Sequence, residues 1–330
     1  MTESVRVEVD PFDSPKLSAG APGDRWSHFS AGPFIANSGV VTSGDGCLRI
    51  RAPGSNPHTG EPMFVNSVAQ EGTQRDNEAP LPGGLDHPKW LIYSNQLSTH
   101  GTPGYETRPG HKLMLEAVLG GRTYGTAAHP FGDAVLDPED DLRLAAFAFS
   151  TVDFETLMIF DFMLTNKSIF AFYERLPYAR QGLGQYAAFS SAMRVADNAP
   201  GRMNALGIVY DPIANAVEWR VEGSVVAKVQ RLGFLPSREN LVLDHGGVPT
   251  QVSPRQLACG VGLFTLLDAT PPGGGAALVR ASDAAGFYFD CGNEPGRAPK
   301  FVDPNSLERS RLFGQGAELI VRDVRVSWIK

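Results

Sequence analysis

The residues with the clearest capacity for chemistry lie between positions 151 and 164. A period of two sends successive side chains to opposite faces of a strand. Read that way, one face carries Phe154, Thr156, Met158, Phe160 and Phe162, and the other carries Asp153, Glu155, Leu157, Ile159 and Asp161. Residues two apart on a strand are roughly 6.5–7 Å apart at Cα, so Asp153 and Glu155 are expected to couple. Like charges at that range push one pKa up and leave an acid beside a base. Glu155 and Asp153 are therefore candidates for proton transfer, with Asp161 further along the same face. The link Thr165-Asn166-Lys167 predicts a hairpin that returns residues 168–176 alongside. With Phe170 and Phe172 turned to the core, Tyr173 and Arg175 fall near the carboxylates. The tyrosine could donate to a developing oxyanion, and the arginine could clamp a carboxylate or a substrate. The competing explanation is a solvated face with ordinary cross-strand ion pairs. Leu157 and Ile159 among the charges favour a ligand pocket, because binding cavities are mostly apolar with a few placed polar groups.

Histidines and aromatic residues in loops form a second set. His87 sits in Leu85-Asp-His87-Pro-Lys-Trp90 and His245 in Leu243-Asp-His245-Gly-Gly247, while Tyr124 and His129 lie a few residues apart. Loops on a rigid scaffold concentrate binding groups, so His87, Trp90, Tyr124, His129 and His245 are expected around a substrate. Each also has a plain packing role open to it, as do Trp219 and Trp328. No histidine spacing suits a metal, and no cofactor is expected. The run Pro272-Gly-Gly-Gly-Ala276 lacks the lysine and following helix of a phosphate loop, and Gly-x-Ser-x-Gly is absent. Cys47, Cys259 and Cys291 are too few for a disulfide framework. Cys259, inside an apolar run, reads as a small buried hydrophobe.

These residues must be positioned by strands. Alternation recurs at 112–119, 142–149, 168–176, 205–210, 216–221, 257–267, 286–290 and 318–329, broken by turn residues. Only 237–240 and 305–309 suggest a helical turn or two. Gly (36) and Pro (25) are spread between the apolar runs, which fits tight turns rather than a linker. The expectation is an all-β chain, 1–330, folded as one two-sheet antiparallel sandwich, with 1–25 as an N-terminal strand or arm. A hydrophobic content of 42% supplies a core. A net charge of −7 without clustered Lys and Arg argues against nucleic acid. The N-terminus lacks an apolar signal region and no stretch reaches a membrane-spanning length. A cytoplasmic location and no membrane partner are therefore expected.

Three segments together resemble the concanavalin-like lectin and glucanase superfamily, in particular its laminarinase-like glycoside hydrolases. They are Asp10-Pro-Phe-Asp13 with Arg25-Trp26, the hairpin running from Tyr210 through Trp219 to Val226, and the closing strand that runs from Ala317 to Trp328. The resemblance implies a jelly roll whose terminal strands pair in the middle of a sheet. More narrowly, the sequence is similar to an uncharacterised bacterial and fungal family. Laminarinase-like enzymes carry Glu-x-Asp-x-x-Glu on a central strand, whereas the comparable strand here reads Asp153-Phe-Glu155-Thr-Leu-Met158. The leading expectation is therefore acid–base chemistry on a small, largely apolar molecule in the concave cleft, such as cyclisation, isomerisation or elimination. The alternatives are a carbohydrate-active hydrolase or lyase with a rearranged acidic pair, and a non-catalytic lectin-like binding module. Oligomeric state is left open.

Overall fold

The computed structural model describes residues 5–10, 17–18, 25–73, 81–292 and 296–330. Residues 11–13 of the expected opening strand, and most of the expected arm, lie outside the described residues.

Two large sheets dominate. One has eight strands, in the order Ser224–Gln230, Ala216–Val221, Asn204–Asp211, Lys112–Tyr124, Gly316–Ile329, Cys47–Arg51 and Val40–Gly44, with Val5–Asp10 also paired to Gly316–Ile329. The last strand of the chain thus sits mid-sheet and meets the first, as the resemblance implied. The other sheet has ten strands. Its order is Leu17–Ser18, Trp26–His28, Pro88–Ser94, Gln256–Phe264, Ala146–Asp153, Met158–Leu164, Ser168–Arg175, Phe189–Asp197 and Leu241–Asp244, with Tyr105–Glu106 beside Gln256–Phe264. Nearly all pairings in both are antiparallel, and the result is a jelly-roll sandwich.

Local chemistry sets the connections. Glu222 and Gly223 link two strands with φ of 51° and 79°, the positive pair that a tight two-residue hairpin turn requires. Asp211 Oδ1 accepts the Ile213 and Ala214 amides at 3.1 and 2.9 Å, so its side chain builds the next turn.

The eight-stranded sheet buries alternate residues: in Lys112–Tyr124 the leucines at 113 and 115 are fully enclosed and their neighbours partly open. They meet Phe147, Phe149, Phe160, Phe162 and Tyr173 from the opposite sheet. The ten-stranded sheet differs, because its central strands are buried along their whole length. Their second face forms a separate apolar layer that includes Leu91, Tyr93, Ile159, Met163, Phe170 and Phe172. That outer layer is where the site lies.

Three expected elements are corrected. Residues 151–164 are two strands, ending at Asp153 and resuming at Met158, because 154–157 form a turn. Asp153 makes that turn: its carboxylate accepts the Glu155 and Thr156 amides at 3.1 and 3.2 Å and the Thr156 hydroxyl at 2.6 Å. Leu157 closes it with a positive φ of 55°. Residues 286–290 are loop rather than strand, and 237–240 hold no helix, whereas Glu308–Arg311 is a single helical turn.

Candidate functional site

A cavity of about 290 Å³ lies on the outer face of the ten-stranded sheet, at the small end of the range typical of ligand pockets. Its floor is built by outward side chains from four strands of that sheet: Leu91 and Tyr93, Ser150 and Val152, Ile159, Asp161 and Met163, and Phe172 and Glu174. Its walls come from loops, including Phe29, Leu85, His87, Phe154, Leu157, Tyr178, His245, Asp268 and Phe287. Close approach fixes one wall. A Cβ on Gly84 would stand 2.3 Å from the Tyr178 hydroxyl, so any larger residue there would have to displace that ring.

The cavity is apolar except for a small group of ionisable side chains. His87 Nε2 lies 2.6 Å from Asp268 Oδ1, and the Tyr288 hydroxyl donates to Asp268 Oδ2 at 2.7 Å. Burial works to lower the His87 pKa, but the Asp268 charge and hydrogen bond outweigh it and raise it. Burial likewise works to raise Asp268, and the His87 charge and hydrogen bond with the Tyr288 hydroxyl bring it below the usual carboxylate range. Each therefore favours the charged form of the other, in a pair whose Asp268 side chain is buried and whose His87 side chain is 14% exposed.

Opposite this pair, burial pushes Glu174 up to about 7, against a short hydrogen bond from the Ser190 hydroxyl and the His87 charge. Asp161 is lifted well above the ordinary range by burial, although the Thr151 amide donates to its Oδ1 at 2.8 Å. Glu174 pairs with Ile159 and Phe172 with Asp161 across adjacent strands, so the two carboxyls stand on a cross-strand diagonal, about 7–8 Å at Cα. His245 completes the group. Its Nδ1 lies 2.7 Å from the Phe287 carbonyl, which can only accept, so Nδ1 carries the proton. Burial lowers its pKa, and the neutral ring keeps Nε2 as an acceptor. The site thus offers one acid held neutral, one carboxyl poised near pH 7, one base and one ion pair in an apolar setting.

Five of the residues expected from the sequence line this cavity: Asp161, Leu157, Ile159, His87 and His245. Seven stand elsewhere. Asp153 is consumed by its turn and by the Gln256 amide at 2.6 Å. Glu155 points into an exposed ion pair with Arg255. Tyr173 faces the inter-sheet core, where its ring stacks on Phe160 and its hydroxyl accepts the Gly233 amide at 2.8 Å. Arg175 shares that face, with its guanidinium over the Tyr186 ring and Nη1 on the Thr250 carbonyl. Trp90 is fully buried in the inter-sheet core. Tyr124 ends a strand of the other sheet, under the Arg122 guanidinium. His129 accepts the Phe131 amide in a loop and stacks on that ring. Asp153 and Glu155 thus stay outside this cavity, whereas Asp161 and Glu174 line it. Among the described residues no three His, Cys, Asp or Glu side chains converge as a metal site.

The residues that the sequence reading missed are Glu174, Asp268, Tyr178 and Tyr288. Glu174 shares a face with Phe170 and Phe172, and the signal was present in that alternation. Asp268 and Tyr288 meet through long-range folding, and nothing in their sequence surroundings marks them.

Glu174 gives a measurable pH signature. Its folded pKa of about 7 lies above its ordinary 4.5, so the folded protein retains a proton that the unfolded chain has released. This contribution to stability is full below about pH 4.5 and is lost as pH rises through about 7, costing about 3 kcal/mol above it. Urea denaturation across pH 4.5–8.5 should show that decline. In Glu174→Gln this part of the slope should vanish, and an unchanged slope would rule out a carboxyl that is protonated in the fold.

Family membership follows from the whole chain rather than from the site. Residues 9–329 match the model of a family described as "Family of unknown function (DUF6081)". The chain belongs to that family. It is also similar to the uncharacterized protein L829 of Acanthamoeba polyphaga mimivirus, at 27% identity over 267 residues. That match covers 64% of this chain and 58% of the relative, so it spans little more than half of the relative's length. Similar solved structures include the apo Crh5 transglycosylase, at 11% identity over 98% of this chain and 83% of that one, with a TM-score of 0.39. A beta-glucanase of Bacillus licheniformis is similar at 11% identity over 99% and 98%, with a TM-score of 0.39. Alginate lyase A1-II′ of polysaccharide lyase family 7 gives 8% identity over 92% and 86%, with a TM-score of 0.38. The reading of the site for this family member rests on its own residues. No helix among the described residues is long and apolar enough to cross a membrane.

Proposed function

We propose that the outer-face cavity is an acid–base site for a small, largely apolar molecule carrying one or two polar groups. The observation that carries this reading is the enclosure of Glu174, Asp161, His245 and the His87–Asp268 pair within walls of Phe, Leu, Ile and Met side chains. Such walls make the hydrophobic effect the main source of affinity, at about 25 cal/mol per Å² of apolar surface covered. In this reading Nε2 of neutral His245 takes a proton, and a protonated Glu174 returns one at another atom of the substrate. A group whose pKa sits near 7 is suited to both directions of transfer. Asp161, held neutral, donates a hydrogen bond to a substrate oxygen, and the His87–Asp268 pair supports negative charge developing nearby. Isomerisation, cyclisation and elimination all need no more than this.

A fluorescence displacement assay tests the reading, with anilinonaphthalene sulfonate as the reporter. Monocyclic and bicyclic alcohols and ketones should displace it, and Met163→Trp, which fills the cavity, should abolish binding. Once a turned-over compound is identified, Glu174→Gln should lower kcat by about 10²–10⁴-fold, while Glu155→Gln leaves it unchanged. Turnover equal in Glu174→Gln and the parent would sink the assignment of the acid.

A second reading, a carbohydrate-active hydrolase or lyase, is supported by one specific feature: two carboxyls, Asp161 and Glu174, on adjacent strands of one sheet face. It predicts binding and cleavage within a panel of oligosaccharides and loss of both in Asp161→Asn. It differs from the first reading in what the walls should contact. Trp26, Trp90 and Trp219 are fully buried, so stacking of sugar rings on these indoles is not available to it.

A further inference from the structure

Beyond Leu85 and Pro88, which line both, a second cavity of about 590 Å³ opens at the end of the Pro88–Ser94 strand. Lys89 lines it, at a register shift between Pro88 and Trp90, and is only 4% exposed. Its Nζ donates to Asp86 Oδ1 at 2.7 Å, and the same oxygen accepts the Val68 amide at 2.7 Å. Arg311 lines the cavity as well. It donates from Nε to the Ser306 carbonyl at 3.0 Å and from Nη1 to the Ser67 hydroxyl and the Val68 carbonyl. All of these acceptors are neutral. The remaining wall is apolar and includes Phe34 and Leu81.

The charges do not cancel inside. Among the described residues, Asp86 balances Lys89, the Arg311 guanidinium bonds to neutral groups, and Glu308, the other acid of the lining, is exposed. Holding Val68 in place explains Asp86 and one arm of Arg311, because a carboxylate and a guanidinium together satisfy its amide and carbonyl. It does not explain Lys89. A buried ammonium carries a large desolvation cost that an apolar side chain at 89 would avoid. A positively charged cavity with apolar walls suits a monoanion attached to an apolar body, and a guanidinium that holds Ser306, Ser67 and Val68 through Nε and Nη1 can turn Nη2 to a carboxylate.

We propose that this second cavity binds a small organic carboxylate, with Arg311 and Lys89 meeting the anion and Phe34, Leu81 and Leu85 flanking its body. The site adjoins the acid–base cavity at Leu85 and Pro88 and does not depend on the function proposed there.

Titration calorimetry on the full chain tests it, with benzoate as the probe, benzamide as its neutral isostere and inorganic phosphate as a compact anion. Benzoate should saturate, and benzamide should bind at least tenfold more weakly. Arg311→Gln and Lys89→Met should each weaken benzoate at least tenfold, while Met163→Trp in the other cavity leaves it unchanged. Should Arg311→Gln fail to fold, Arg311→Lys, which keeps the charge but loses the planar fork, should still weaken benzoate. Equal binding of benzamide, tighter binding of phosphate, or no saturation up to about 10 mM would each overturn the proposal. Loss of benzoate binding in Met163→Trp would overturn it too, by assigning the probe to the first cavity.

Discussion

Asp268→Ala is expected to cost about 3–5 kcal/mol of unfolding free energy, because it leaves a buried imidazolium without its counter-charge. Asp268 is 3% exposed and holds both His87 and the Tyr288 hydroxyl. Removing it strands two polar groups at once. The pH dependence identifies the cause. His87 has a raised pKa, so its share of the stability is full below its ordinary 6.5 and is lost as pH rises through the folded value. Asp268 has a lowered pKa, so its share is full above its ordinary 3.8 and is lost as pH falls through the folded value. The penalty should therefore be greatest between about pH 4 and 6.5 and should shrink on the alkaline side. NMR titration of the His87 ring should show its pKa falling in the variant, since burial, the largest influence on it, is then opposed only by the Glu174 and Asp86 charges. A double variant, His87→Leu with Asp268→Leu, should recover most of the loss, because an apolar pair in place of a buried ion pair is often neutral or stabilising. A cost of less than about 1 kcal/mol in Asp268→Ala, like that of a solvated pair, would show that the pair is open to solvent.

The same geometry explains what could be read from the sequence. Strand positions and the sandwich were legible because the eight-stranded sheet alternates cleanly, and because turns such as Asp211–Asn215 and Glu222-Gly223 carry their own chemistry. The site was only half legible. Ser168–Arg175 is buried at all eight positions, so alternation separates its residues into two faces without saying which face meets the other sheet. The expectation turns Phe170 and Phe172 toward the other sheet, whereas Ile169, Ala171 and Tyr173 hold that place. That single inversion exchanges Glu174 for Tyr173 and Arg175. Asp153 and Glu155 were misplaced for a different reason. An Asp that caps a turn through its own side chain ended the strand where periodicity alone carried it through. The parity then resumed in step, so Ile159 and Asp161 kept the face assigned to them. His87 and His245 were found because loops on a scaffold favour binding groups, yet the partner that charges His87 lies 181 residues away.

A cavity on the outer face is useful only if the sheet beneath it is rigid, and Trp219 from the opposite sheet does much to make it so. Trp219→Ala is expected to cost about 3–5 kcal/mol, in the range for removing a large aromatic side chain from a core. The indole is fully buried, edge-on to Phe160 and Tyr173 at 6.1 and 6.4 Å between centroids. Its Nε1 donates to the Asp161 carbonyl at 2.9 Å, so it grips, from the inter-sheet side, the residue whose side chain enters the cavity. Trp219→Phe keeps most of the packing and loses that donor. It should cost less, by the difference between a partly filled core and an empty one. Both changes should also loosen the Met158–Leu164 strand, seen as faster amide exchange at Asp161 and its neighbours than at the sheet edges. If Trp219→Ala costs under about 1 kcal/mol, the two sheets do not share the core described, and the cavity would lose the rigid floor that its chemistry needs.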